Sequence, residues 1–238
     1  MLNFIKSKNK NIIKYLVLAI FFIAIFLQYF LNIFATNINA RALSFSCVIL
    51  CFVFTLFFVQ KDKNIFISIG LFLNCIADIF LVLYYDKSNF LAGVSVFLFV
   101  QLFYAIYTVM LNKSRTAKIV NISLRSGLSI IIGIVGFIAK LTLYEIFSLI
   151  YIANFVLSCI YAFIHFKTEL FYAIGSLIYI CCDVFVGITN GGAKILGLSG
   201  SFIDFLYSFD MAFVLYIPGV FVIALQVFYA SFKYQKTN

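Results

Sequence analysis

Two aspartates lie within segments that otherwise contain no charged residue. Asp78 belongs to "NCIADIFLVL" (74–83), and Asp183 belongs to "YICCDVFVG" (179–187). A carboxylate inside such an apolar run is costly, so it is usually paired or functional. Two carboxyl groups that share a site, one protonated and one ionised, can carry out acid–base hydrolysis of ether-like and glycosidic bonds. Asp78 and Asp183 are therefore the candidate catalytic residues.

Small or polar residues share a helical face with each aspartate. A spacing of three or four residues places Gly70 and Asn74 with Asp78, and Gly175, Tyr179 and Gly187 with Asp183. Small residues let helices pack closely, and carboxylates within a membrane turn towards the protein interior. Both aspartates are therefore predicted to face inwards, past the middle of the membrane towards its outer side.

The composition is that of an integral membrane protein. Of 238 residues, 65% are hydrophobic and 11% are charged, and the mean hydropathy is +1.15. A soluble domain cannot bury that much apolar surface, and apolar runs of about 20 residues with a single proline indicate helices. We expect one all-α transmembrane domain over residues 1–238. Its eight predicted spans are about 15–34, 42–59, 65–84, 90–111, 119–139, 144–163, 171–189 and 209–231.

The net charge of +9 fits membrane topology better than nucleic-acid binding. With the amino terminus inside, twelve Lys and Arg residues fall in the inner segments and four fall in the outer loops. Such a bias indicates that the positively charged side is cytoplasmic. Both termini are therefore predicted to be cytoplasmic, and no nucleic-acid partner is expected.

The chain contains an internal similarity four spans apart. Glycines lie eight residues before both aspartates, "ADIFL" matches "CDVFV", and "VQLFYA" (100–105) matches "LQVFYA" (225–230). The second match makes Gln101 correspond to Gln226, and Tyr104 to Tyr229. Copies that are four spans apart cross the membrane in the same direction, which predicts a parallel repeat of four plus four helices.

The repeat and the helical faces together predict one polar pocket that opens outwards. Its candidate substrate-binding residues are Asn74, Gln101, Tyr104, Tyr179, Asp210 and Gln226. No cysteine and histidine spacing is typical of a metal site, and no cofactor motif is present, so we expect neither a metal nor a cofactor. A nucleophilic serine motif is also missing.

Several alternatives remain open at this level. One aspartate can form a structural ion pair with Arg125, which lies within the fifth span. Two aspartates at matched depth also suit a proton- or solute-coupled transporter, and Gly93 and Pro218 would weaken corresponding helices, as in transporters. The two glutamines can simply join helices, and the two tyrosines can serve packing. A lipid-binding protein without catalytic activity is the third possibility.

Two motifs resemble those of a known family. They are "GVSVFLFVQLFY" (93–104) and "YIPGVFVIALQ" (216–226), and each follows a span that carries an aspartate. Together they are similar to the YhhN-type membrane proteins, which include lysoplasmalogenases. Two differences stand out: Gln101 occupies a position that is typically histidine, and Ala77 precedes Asp78 where glycine is common.

The resemblance implies hydrolysis of the vinyl-ether bond of lysoplasmalogens, which gives a fatty aldehyde and a glycerophospho headgroup. Asp78 and Asp183 match the two acidic positions of the family. The expected partners are then the bilayer and a lysophospholipid substrate. The many Phe, Ile, Asn and Lys residues are typical of an AT-rich genome. We expect an integral protein of a bacterial cell membrane. The sequence leaves the oligomeric state open.

Overall fold

A computed structural model describes residues 2–34, 40–59, 63–84, 87–188 and 211–237. The helices within this part of the chain are α1 (Leu2–Phe34), α2 (Ala40–Phe58), α3 (Ile65–Asp78), α4 (Lys87–Leu111), α5 (Arg115–Ile138), α6 (Leu143–Ile164), α7 (Phe166–Gly187) and α8 (Met211–Thr237). Each contains a segment long and apolar enough to cross a membrane. The prediction of an all-α polytopic membrane protein with eight spans is confirmed.

Six helices form a closed ring around the protein interior. Each helix contacts the next one in the order α2, α3, α4, α6, α7 and α8, and α8 contacts α2, which closes the ring. The α3–α4 and α7–α8 pairs pack most extensively, and α3 also touches α8 across the ring. The two aspartates therefore lie on ring helices, whose inner faces are shielded from lipid.

The helices α1 and α5 lie outside this ring. Only 11% of the first span and 17% of the fifth are buried, against 56% of the last. The first helix packs on α2 and, through Phe21 and Phe22, on Phe221 of α8. The fifth packs on α6 and makes a smaller contact with α4. Both present large apolar side chains to the surroundings, as lipid requires.

The helix contacts within α1–α4 match those within α5–α8. A twofold axis between the two halves of the chain would produce such a match. In the first half α1 packs on α2, and the ring continues through α3 and α4; in the second, α5 packs on α6, and the ring continues through α7 and α8. Each half then closes onto the other, as α4 touches α6 and α8 touches α2. The repeat and the cytoplasmic orientation of the termini remain predictions.

The end of α3 differs from the regular helix that we predicted. Immediately after Asp78, the chain widens into a π-helical segment, Ile79–Leu83. Such a turn is frequent at functional sites. The side chain of Leu81 within it packs against Gly93 of α4, where a Cβ atom would lie 2.5 Å from Leu81. The glycine is thus explained by close packing rather than by a break in α4.

Pro218 lies inside α8, and the N–H that it lacks explains a hydrogen bond between α1 and α8. A proline lacks the backbone N–H that would bond to the carbonyl four residues earlier, here that of Val214. The hydroxyl of Tyr29 on α1 donates to this carbonyl oxygen at 3.1 Å. The outer helix therefore supplies the hydrogen bond that proline removes.

Candidate functional site

Asp78 lies at the end of a chain of hydrogen bonds between three ring helices. The hydroxyl of Tyr179 on α7 donates to Asn74 Oδ1 on α3 at 2.9 Å, and Asn74 Nδ2 donates to the hydroxyl oxygen of Tyr216 on α8 at 2.8 Å. The Tyr216 hydroxyl in turn donates to Asp78 Oδ2. All four residues are buried. Because every group donates to the next, the chain is polarised towards the Asp78 carboxylate.

Asp183 lies four residues before the end of α7 and is surrounded differently. It is 8% exposed, and its Oδ2 atom has no hydrogen-bond partner among the described residues. A buried carboxyl oxygen without a partner is expensive, so such groups commonly serve a ligand or a reaction. The prediction that both aspartates face the protein interior is confirmed, since Asp78 is only 2% exposed.

Tyr179 connects the surroundings of the two aspartates. Its hydroxyl interacts electrostatically with both Asp183 and Asp78, and Asp183 also interacts with Tyr151 on α6. Within the part of the chain that the structure describes, no hydrogen bond joins the two carboxyl groups. They are thus neighbours of one tyrosine rather than a pair that shares a proton directly.

The other predicted site residues are distributed over more than one place. Asn74 and Tyr179 belong to the hydrogen-bonded chain at Asp78. Gln101 lines a cavity between α4, α5 and α6 that also includes Tyr151. Tyr104 packs in the ring interior against Gly70, and its hydroxyl has no hydrogen-bond partner within the described residues. Asp210 lies outside the described residues.

Gln226 belongs to a separate polar cluster. Its Nε2 atom donates to Glu169 Oε2 at 2.8 Å, and its Oε1 atom accepts from the backbone N–H of Tyr172 at 3.4 Å. Glu169 precedes Asp183 on α7 by fourteen residues, which is about 21 Å along a helix. The structure therefore does not bring Gln226 to the aspartates, although it corresponds in sequence to Gln101.

Glu169 is the centre of this second cluster, and our sequence analysis did not single it out. It is 2% exposed and forms an ion pair with Lys63 Nζ at 2.6 Å. The Tyr107 hydroxyl on α4 donates to the other carboxyl oxygen. These bonds join the start of α3, α4, α7 and α8. The structure assigns α7 from Phe166, but the backbone at Glu169 is not helical (φ −121°, ψ 27°), so the uninterrupted helix begins just after Glu169, close to the start at 171 that we predicted.

Arg125 does not pair with an aspartate among the described residues. Its guanidinium donates to three neutral oxygens: Asn121 Oδ1 at 2.7 Å, the carbonyl of Asn154 at 2.8 Å and Thr108 Oγ1 at 3.0 Å. The structural ion pair considered above therefore finds no support there. Likewise, in the described ranges, no three His, Cys, Asp or Glu side chains lie close enough to hold a metal ion together.

A comparison with protein families now identifies the chain. The sequence profile described as the YhhN family matches residues 40–227, most of the chain and all of its ring helices. The protein belongs to the YhhN family. No curated protein and no solved structure is significantly similar to this YhhN protein. The resemblance inferred from the two short motifs is thereby confirmed.

Tyr216 is the site residue of this YhhN protein that sequence reasoning missed. It is the first residue of the "YIPG" motif on α8, two residues before the only proline, and its hydroxyl contacts Asp78. The motif was a usable signal, because Pro218 is the single proline of the sequence and Gly219 beside it packs directly on Tyr179. With fifteen tyrosines in the chain, residue type alone could not distinguish it.

Proposed function

We propose that this YhhN protein is a membrane-embedded hydrolase that cleaves the vinyl-ether bond of lysoplasmalogens in a bacterial cell membrane. One observation carries the proposal: two buried carboxyl groups lie near the same tyrosine in different hydrogen-bond environments. Asp78 accepts a hydrogen bond from Tyr216, whereas Asp183 Oδ2 has no donor among the described residues. Such a difference suits one acid and one base. Membership of the YhhN family supports the same class.

The roles follow from the hydrogen bonds. A carboxyl group without a donor retains its proton more readily in an apolar setting, so Asp183 is the proposed acid. Asp78, which accepts from Tyr216, is the proposed carboxylate. The first step transfers the proton of Asp183 to the vinyl carbon that is not bonded to oxygen, leaving an oxocarbenium ion that Asp78 stabilises.

Water then completes the reaction. One water molecule adds to the oxocarbenium carbon and loses a proton to Asp183, which thereby regains the proton that it gave up. The hemiacetal that results breaks its bond to the glycerol oxygen as its hydroxyl proton is transferred to that oxygen, so that the hydroxyl becomes the aldehyde carbonyl and the glycerol leaves as the alcohol. The products are a fatty aldehyde and a glycerophospho compound, and both aspartates return to their starting states. Each turnover consumes one water and needs no cofactor.

The test is aldehyde release from a purified lysoplasmalogen by the full-length protein in detergent. Asp78→Asn and Asp183→Asn are each expected to lower the rate by about 10²- to 10⁴-fold, as loss of general acid–base catalysis does. Glu145→Gln is the matched control, because its carboxylate caps α6 through Thr142 rather than lining the site. A saturated alkyl-ether analogue is the substrate control, since it offers no vinyl carbon to protonate.

Two results would overturn the proposal. One is a folded protein that releases no aldehyde, and the other is release that survives both aspartate substitutions. A proton-coupled carrier is the second candidate, because Asp78 and Asp183 are two buried carboxyl groups that can each take up and release a proton. A carrier would give pH-dependent solute uptake into liposomes without aldehyde release.

A further inference from the structure

A cavity between α4, α5 and α6 lies outside the hydrogen-bonded chain at Asp78. Its volume is about 640 Å³, and most of its wall is formed by aliphatic side chains. Three wall residues, Leu102, Ile122 and Ile130, are 50–61% exposed and belong to the lipid-facing surface. The cavity therefore opens sideways, towards the acyl chains of the membrane, rather than towards water.

Arg125 places a positive charge at this cavity without an acidic partner. It is 6% exposed and lies ten residues into α5, about 15 Å from the start of the helix. Its three hydrogen bonds, to Asn121, Asn154 and Thr108, use three of the five N–H groups of a guanidinium. Within the described residues, no carboxylate lies at ion-pair distance. A buried cation is stable in lipid only when a counter-charge or a dense set of dipoles accompanies it.

Gln101 supplies a second, independent observation. This residue lines the same cavity and is 1% exposed, yet neither Nε2 nor Oε1 has a hydrogen-bond partner among the described residues. A buried amide that lacks both bonds loses about 1–3 kcal/mol for each unsatisfied group. Gln101 and Arg125 thus both line one apolar cavity that is open to lipid, and both side chains have hydrogen-bonding capacity that no described residue uses.

We propose that this cavity binds the carboxylate of a long-chain fatty acid, with the carboxylate on Arg125 and Gln101 and the acyl chain along the aliphatic wall. Two features favour a carboxylate over a zwitterionic phospholipid headgroup. The lining contains no acidic side chain that could receive an ammonium group, and the site lies deep in the membrane. A carboxylate is compact and matches the planar fork of arginine.

The inference does not rest on the proposed hydrolysis. Arg125, Gln101 and Asn154 make no hydrogen bond to Asp78 or Asp183 within the described residues, and fatty-acid binding requires no reaction. The cavity does approach the aspartates, because Tyr151 lines it and interacts with Asp183. A bound fatty acid is therefore in a position to compete with an ether lipid that enters by the same lateral opening.

The experiment measures displacement of the fluorescent fatty acid cis-parinarate from the full-length protein in maltoside micelles at pH 8. Palmitate is expected to displace it at a 1:1 ratio, whereas hexadecanol and palmitoyl-lysophosphatidylcholine displace it much more weakly. Arg125→Gln should weaken palmitate binding by about 10- to 100-fold, the equivalent of a lost hydrogen bond to a charged group. Gln101→Leu should weaken it by about 3- to 10-fold.

Matched controls keep this test decisive. Arg115→Gln removes an exposed cation at the start of the same helix and should leave palmitate binding unchanged. Arg125→Lys retains the charge without the fork, and it should bind palmitate more weakly than the unaltered protein and more strongly than Arg125→Gln. If Arg125→Gln fails to fold, the Gln101→Leu variant and the comparison of palmitate with hexadecanol still test whether the cavity binds a carboxylate.

Three outcomes would overturn the inference: equal binding of palmitate and hexadecanol, tighter binding of the lysophospholipid than of palmitate, or palmitate binding that neither Arg125→Gln nor Gln101→Leu weakens. The same titration with Asp183→Asn separates this inference from the proposed function. If Asp183→Asn still binds palmitate, the fatty-acid site is supported independently of the proposed hydrolysis, whether or not the unaltered protein releases aldehyde.

Discussion

At the scale of single residues, the two aspartates occupy corresponding positions of the predicted repeat but have different neighbours. Tyr216 donates to Asp78, and the sequence match that aligns Gln226 with Gln101 aligns Tyr216 with Leu91. The first half therefore has no tyrosine to serve Asp183. The difference between Tyr216 and Leu91 gives the two aspartates different hydrogen-bond environments. This difference separates the proposed base, Asp78, from the proposed acid, Asp183.

Tyr216→Phe isolates the contribution of this donor. The substitution keeps the ring, which packs on Tyr179, but it removes the hydrogen bond to Asp78. We expect aldehyde release to fall by about 10- to 100-fold, because a hydrogen bond to a charged group contributes about 1.5–3 kcal/mol. The control is Tyr229→Phe on the same helix, whose ring packs on Phe171 and should keep full activity. Equal effects of the two substitutions would remove Tyr216 from the mechanism.

Lys63→Met tests the second cluster, which we interpret as structural. The substitution leaves Glu169 buried without its cation. Breaking a buried ion pair lowers the free energy of unfolding by up to about 3–5 kcal/mol, and we expect a smaller loss here because Lys63 is 30% exposed. The measurement is the midpoint of thermal unfolding in detergent. Lys167→Met, at an exposed position two residues before Glu169, should leave the midpoint within about 2 °C. A midpoint that Lys63→Met does not lower would show that the ion pair is dispensable.

At the scale of helices, two glycines allow the paired helices of each half to pack closely. A Cβ atom on Gly70 would lie 2.3 Å from the ring of Tyr104, and one on Gly175 would lie 2.7 Å from the backbone nitrogen of Ile223. In the second case the obstacle is backbone, which cannot rotate away. The α7–α8 pair therefore depends on Gly175, and this pair carries both Asp183 and Tyr216.

Gly175→Ala is predicted to disrupt this packing. Forcing α7 and α8 apart should lower the unfolding midpoint by several degrees and reduce activity, because overpacking costs about 1–3 kcal/mol and displaces Tyr216 from Asp78. The matched control is Gly133→Ala on α5, where a Cβ atom meets nothing within 4 Å. A midpoint for Gly175→Ala equal to that of Gly133→Ala would contradict the role given to this contact.

The helices were predictable from the sequence, whereas much of the site was not. Long apolar runs determine membrane spans, and residue spacing determined which faces of α3 and α7 are buried. Sequence similarity paired Gln101 with Gln226 and suggested one shared pocket, but the structure places them in different surroundings: Gln101 lines the α4–α5–α6 cavity, and Gln226 donates to Glu169. Residue spacing along the chain does not show which distant helices meet. Glu169 was missed because its cation, Lys63, is 106 residues away in the chain.

At the scale of the whole molecule, six ring helices enclose polar groups while two outer helices face lipid. Most of the buried polar side chains, including Asn74, Asp78, Gln101, Glu169 and Gln226, lie on ring helices, whereas Asn121 and Arg125 lie on α5. A ring of this kind keeps carboxyl groups from lipid, and the α4–α5–α6 cavity opens sideways to lipid with Tyr151, which interacts with Asp183, in its wall. The architecture suits an enzyme whose substrate is dissolved in the membrane.

The orientation of the whole molecule is testable by reporter fusion. Twelve positive residues in the predicted inner segments, against four in the outer loops, predict that the carboxyl terminus lies in the cytoplasm. A green fluorescent protein fused after Asn238 should therefore fluoresce, and alkaline phosphatase fused there should stay inactive. The opposite pair of results would invert the topology and move Asp78 and Asp183 to the cytoplasmic half of the membrane.

The most direct measurement of the central claim is the hydrolysis of lysoplasmalogen in D₂O containing ¹⁸O-labelled water, followed by mass spectrometry of both products. Protonation at carbon predicts an aldehyde with one deuterium at the carbon next to the carbonyl, and a glycerophospho product without ¹⁸O at its new hydroxyl. Asp183→Asn should form neither the deuterated aldehyde nor the glycerophospho product. An aldehyde free of deuterium, or ¹⁸O in the glycerol hydroxyl, would contradict the account.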